Sequence, residues 1–182
     1  MFDKTLWVKL DKGHSDATVT KAIVTGTAAE YPTTFDGGSE LAVYFHWHLS
    51  LHLREFPAQT TALDMTPGGL DGNTGILMAS TQATLWPAGS DGCLLTREYT
   101  VQSSSQITVQ GLVDKLTSEG LTRYRFNDQG MGCRWWCEVV MQKLEDVGYV
   151  EKGTVTDLDR WWLNSAAKDP RIPSATIKGS FY

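Results

Sequence analysis

The chain changes its hydrophobic period about two thirds of the way along. Up to residue 101, apolar and polar positions alternate or run in short Val/Ile/Thr/Leu-rich stretches, the signature of β-strands. Thr5–Leu10 and Val19–Thr27 read as strands, and Ala28–Glu40, with Pro32 and Gly37-Gly38, reads as a loop. Leu41–Leu53 is the longest alternating run. It puts Trp47, Leu49, Leu51 and Leu53 on one face and His46, His48, Ser50 and His52 on the other. Arg54–Gln59 suits a hairpin connection, with Thr60–Met65 as the return strand. Gly75–Ser80 and Glu98–Val101 are further short strands, and Ser103–Ser105 is a polar hinge.

Beyond that hinge the period becomes helical. Val109, Leu112, Val113 and Leu116 fall at helical spacing in Thr108–Glu119, with Gly120 as a stop. Leu121–Phe126 reads as a short strand and Asn127–Gly132 as a glycine-containing loop. Cys133–Val147 is the clearest helix, with Trp136, Val139, Val140, Leu144 and Val147 as its apolar stripe. Thr156–Ala167 predicts a third helix, with Thr156 as N-cap and Asp157 and Asp159 in the first turn, where the helix dipole favours them. The tail from Asp169, with Pro170 and Pro173, reads as extended. The class is α+β: an antiparallel sheet from the first two thirds packed against C-terminal helices, as one domain over 1–182.

Composition narrows the function. Hydrophobic residues are 41 % and charged residues 20 % of the 182, which is globular. A net charge of −5 argues against a general nucleic-acid binder. No apolar run is long enough for a membrane span, and the first residues carry no signal pattern. Three cysteines are an odd count, and Cys133 and Cys137 sit too close on one helix to pair, so the expectation is a reduced, cytoplasmic protein. Seven tryptophans are available to line an apolar pocket, so the expected partner is a hydrophobic small molecule.

Three features could carry chemistry. Gly130-Met131-Gly132-Cys133-Arg134-Trp135-Trp136-Cys137 places Cys133 at a helix start, where free backbone N–H groups stabilise a thiolate. A small apolar residue packed under Trp136 would satisfy the same pattern. Three of the four histidines lie on one strand face. There His46 could be the base for a cysteine, or His46 and His48 could be metal ligands, or the face could simply be polar. No third and fourth ligand stands at familiar spacing, so neither metal nor other cofactor is expected. Asp64, alone on an otherwise apolar strand, could orient an imidazole or could be a turn residue before Pro67.

The combination His46-Trp47, Leu63-Asp64-Met65-x-Pro67-Gly68, Tyr124-Arg125-Phe126 and Gly132-Cys133-Arg134-Trp135-Trp136 resembles a family of small fungal domains of unassigned function, over roughly residues 18 to 182. The resemblance implies a fungal protein near specialised metabolism. More distantly, a His-Trp strand, a strand with a polar residue and a cysteine at a helix start resemble circularly permuted papain-like folds, the lecithin-retinol acyltransferase and NlpC/P60 groups. In those the helix start reads Asn-Cys-Glu, where this chain has Gly132-Cys133-Arg134.

That resemblance implies His46 as base, Asp64 as its orienting partner and Cys133 as nucleophile. The expected function is acyl transfer or hydrolysis of an amide, ester or thioester, with Trp47, Trp86, Trp135 and His48 around the substrate. A non-covalent cyclase or isomerase using His46 or Asp64 as acid or base, and a Trp-rich binding module, are the alternatives.

Overall fold

The computed structural model describes residues 5–33, 40–68, 71–82 and 93–182, with side chains described outside 29–44, 93 and 94. Among these residues the strands are β1 (Leu6–Lys9), β2 (Val19–Thr33), β3 (Glu40–Leu53), β4 (Thr60–Gly68), β5 (Thr74–Gln82), β6 (Cys93–Thr100), β7 (Tyr124–Arg125) and β8 (Ser180–Phe181). The helices are α1 (Val109–Ser118), α2 (Cys133–Asp146) and α3 (Thr154–Ala166). The strands form one sheet in the order β6-β2-β3-β4-β5-β7-β8, with β1 beside β5. It is an antiparallel half-barrel packed against the C-terminal helices; only β1 pairs in parallel.

The odd face of β3 is the core. Trp47, Leu49, Leu51 and Leu53 are buried together with Leu63, Met65 and Leu77 of the neighbouring strands. From the helices, Leu112, Leu116, Trp136, Cys137, Val140 and Leu144 close on them. Trp136 is completely buried, and its indole N–H donates to the Leu121 carbonyl at 2.8 Å, so its one polar atom is satisfied inside the core.

Four expectations shift. Of the loop expected over Ala28–Glu40, the part up to Thr33 is strand, because β2 runs on to Thr33 in register with β3, which begins at Glu40; residues 34–39 lie outside the described residues. Pairing along the whole of that hairpin outweighs the local turn signal of Pro32. The strand expected at Glu98–Val101 starts earlier, at Cys93, because β6 follows the register of β2 from Lys21 to Thr27. The strand expected over Leu121–Phe126 is reduced to Tyr124–Arg125.

The third helix starts at Thr154, not after Thr156. Its cap comes from another helix: the Glu145 carboxylate at the end of α2 accepts the backbone N–H groups of Gly153 and Val155, both at 2.9 Å. Asp157 and Asp159 then serve tertiary contacts. Asp157 holds Arg97 of β6 at 2.7 Å, and Asp159 holds Arg134 of α2 at 2.7 Å. No helix among the described residues is long and apolar enough to cross a membrane.

Truncation of Trp136 removes the largest fully buried side chain at the junction of sheet and helix. Trp136→Ala is expected to cost about 3–5 kcal/mol, read as a fall in the urea midpoint. Trp135, one position round the helix and only partly buried, is expected to cost clearly less on truncation.

Candidate active site

The site is built where two strands part. β3 pairs with β4 only from Leu49 to His52, against Thr60 to Leu63. Beyond Leu63, β4 continues along β5 alone, out to Gly68. Upstream of Leu49, β3 therefore presents a free edge toward the gap, and the first residue of α2 fills it. The backbone N–H of Trp47 donates to the Cys133 sulfur at 3.4 Å, and the thiol lies 3.9 Å from the Phe45 carbonyl oxygen. Cys133 thus takes the place that a paired strand would occupy.

His46 and Asp64 meet across the same gap. His46 Nε2 and Asp64 Oδ1 are 2.7 Å apart, with the two side chains 20 % and 32 % exposed. His46 also shares a side-chain hydrogen bond with Cys133. His46 alternates with Trp47 along β3, and its ring lies close enough to the Cys133 sulfur to interact with it.

Burial opposes charge on the His46 ring. The hydrogen bonds to Asp64 and Cys133, with the negative charge of both groups, outweigh it and push the pKa up from 6.5 to about 10. His48, two residues on, is pushed down, chiefly by burial and also by the charge of His46, while Asp64 works against that shift. Its ring stacks beside His46 with centroids 6.2 Å apart.

The turn before Cys133 depends on Tyr124. Its hydroxyl donates to the Gly132 carbonyl and accepts the Gly179 N–H, both at 2.8 Å. Gly132 has φ 143°, and a Cβ there would collide with the Tyr124 hydroxyl, so only glycine fits. One buried phenol therefore ties the loop before the nucleophile candidate to the C-terminal tail.

A cavity of about 110 Å³ opens beside the sulfur. Its walls include Phe45, Trp47, Met131, Trp162, Pro173 and Ile177, with Cys133 and Arg134 at its edge. Arg134 is fully committed. It pairs with Glu138 at 3.0 Å and Asp159 at 2.7 Å, contacts Thr176, and lies 3.5 Å over the Trp162 ring.

Of the residues expected at a site, His46, Asp64 and Cys133 converge, and Trp47 lines the cavity. Trp135 stands apart from that lining, under the Lys178 ammonium at 4.1 Å. His48 lies on the His46 face, away from the cavity walls, and Trp86 falls outside the described residues. Tyr124, Trp162 and the Pro173–Ile177 wall carry no local sequence signal of a site. Only the helical spacing of Trp162 from Leu158 in α3 marks it as inward-facing. Among the described residues no group of three or more His, Cys, Asp or Glu could hold a metal ion. Cys137 is packing: it is buried, and burial pushes its thiol well up.

A family model described as a domain of unknown function, DUF7770, matches residues 23–182. No curated protein and no solved structure matches the chain.

The raised pKa has a measurable consequence. The stability that His46 contributes is fully present below about pH 6.5 and is lost as pH rises through about 10. Histidine NMR should find the His46 ring still protonated at pH 8. Asp64→Asn, which removes the paired charge, should move its titration midpoint down toward 6.5.

Proposed function

The chain belongs to the DUF7770 family, a domain of unknown function, and we propose that it is a cysteine-dependent enzyme. In this reading it performs acyl transfer on, or hydrolysis of, a small amide, ester or thioester. One observation carries the proposal: His46 interacts with both Asp64 and Cys133, and Cys133 lines a cavity with mostly apolar walls. A cysteine that merely filled the core would have no use for a partly buried His–Asp pair beside it.

His46 stands as an imidazolium beside the Cys133 sulfur, whose proton it already holds, and the thiolate attacks the carbonyl carbon of the substrate. Asp64 holds the ring by Nε2 and balances the imidazolium. The Trp47 N–H steadies the sulfur charge by a hydrogen bond. The α2 N-terminus has no side-chain cap, which leaves its first N–H groups available to charge that develops on the carbonyl oxygen. The imidazolium then protonates the leaving group, and a Cys133 acyl-thioester remains for water or an acceptor. The chain order His46, Asp64, Cys133 supports the permuted papain-like resemblance.

Iodoacetamide at neutral pH should alkylate Cys133 and spare Cys137, as peptide mass mapping would show. His46→Ala should slow that alkylation by about tenfold or more, in line with the loss of a positioned base. Equal labelling of the two cysteines, or a rate indifferent to His46, would remove the proposal.

A further inference from the structure

One side of the cavity is built differently from the rest. Phe45 and Trp47 come from β3, Cys133, Arg134 and Trp162 from helices, and Met131 is held at both its backbone groups by Asn127. Pro173, Ala175 and Ile177 belong to a tail segment that is neither helix nor strand. Among the described residues, residues 173–178 make no backbone–backbone hydrogen bond. The ends of this strap are fixed, since Ile172 is buried and Ser180 and Phe181 pair with β7. Between them Arg134 contacts the Thr176 hydroxyl, the Lys178 ammonium lies 4.1 Å over the Trp135 ring, and the Gly179 N–H donates to the Tyr124 hydroxyl at 2.8 Å.

The contact at Gly179 is the closest fit of the three. A Cβ there would collide with the Tyr124 hydroxyl and with the Arg125 carbonyl, as one at Gly132 would collide with the same hydroxyl. The phenol oxygen thus sits in a space that two glycines leave for it. Pro173, Ser174, Ala175 and Lys178 are exposed. An exposed segment without backbone bonds of its own opens locally, well before the whole structure unfolds. Cys133 does not need the strap for its place: Trp136 holds α2 in the core, and the Trp47 N–H meets the sulfur. Lifting the strap widens the cavity and leaves the thiol where it is.

We infer that residues 173–178 are a movable wall that sets the size of the group reaching Cys133, latched by Gly179 on the Tyr124 hydroxyl. The inference rests on the cysteine reading above for the reacting atom. With the wall latched, the sulfur faces a cavity of about 110 Å³ that suits a small acyl group. With the wall lifted, bulkier acyl groups reach it.

Tyr124 also holds the turn before Cys133, so the latch is best broken from the tail side. Wild-type and Gly179→Ala protein are labelled with iodoacetamide and with the bulkier N-(1-pyrenyl)maleimide. Each rate is divided by that of the reagent with free cysteine, and the sites are read by peptide mass mapping. In the wild type the pyrene reagent should lag behind iodoacetamide at Cys133. Gly179→Ala should shift the ratio toward the pyrene reagent by about tenfold, the worth of one hydrogen bond. Cys137, buried on the same helix, should stay unlabelled and so report that the fold persists. An unchanged ratio with Cys137 unlabelled overturns the inference, and so does a wild-type protein that takes both reagents equally well.

A second measurement needs only the wild-type chain and decides the matter if Gly179→Ala exposes Cys137. In native-state hydrogen exchange the Gly179 N–H should be protected at least about tenfold less than the Val140 N–H of α2, through an opening that low denaturant does not accelerate. Exchange of both amides together, through global unfolding alone, overturns the movable wall. The cysteine reading fails separately. Labelling of Cys133 that ignores His46→Ala, with the ratio still shifted by Gly179→Ala, removes the thiol chemistry and keeps the wall.

Discussion

The separation of β3 from β4 beyond Leu49 and Leu63 is the constraint on which the site depends. Had the two strands stayed paired to their ends, the Trp47 N–H would have met a backbone carbonyl, and His46 would have been sealed from the helical side of the sheet. A free strand edge inside a protein must be covered, since its N–H and C=O groups cannot be left without partners. Here the cover is the first residue of α2, whose sulfur accepts from the Trp47 N–H. The same contact answers a backbone requirement and brings a thiol to an imidazole that starts from the opposite face.

Everything around the gap serves to hold α2 at that height. Trp136 anchors the helix in the core through the Leu121 carbonyl, and Tyr124 fixes the turn that leads into Cys133. Glu145 at the far end of α2 caps α3, and Arg134 at the near end reaches α3 through Asp159. α2 is thus tied to α3 at both of its ends by charge-assisted bonds, with Arg134 largely buried and its partner Asp159 exposed. The glutamate that follows the cysteine in the resembled papain-like groups has no counterpart here, and the arginine in its place is a brace between helices.

Much of the fold was legible because it obeys one period at a time. The alternation in Leu41–Leu53 located both faces of β3, and the stripe from Trp136 to Leu144 located the buried side of α2. The errors fell where a partner outvoted local signals: Pro32 lies within β2 because β3 pairs alongside it, and α3 begins early because Glu145, not Thr156, supplies its cap. In the site, His46, Asp64 and Cys133 could be named from residue type and chain order. Tyr124 and Trp162 could not, since a buried phenol and a buried indole read as core in any one-dimensional pattern. Tyr124 acts through two hydrogen bonds that join the turn before Cys133 to the tail, and Trp162 through its place in the cavity wall, and both depend on segments that only the fold brings together.

The tail gives the site a place in time as well as in space. Pro173, Ala175 and Ile177 wall the cavity, and Gly179 and Phe181 dock on Tyr124 and β7. These residues leave the ribosome last among those at the site, more than a hundred positions after His46 and Asp64. Contacts of such separation form late, because loop closure precedes their reward. A nascent chain whose sheet and α2 have already met would hold Cys133 without its outer wall. Maturation of the site would then coincide with the docking of the tail. An uncovered thiol would mark chains whose folding stopped one step short.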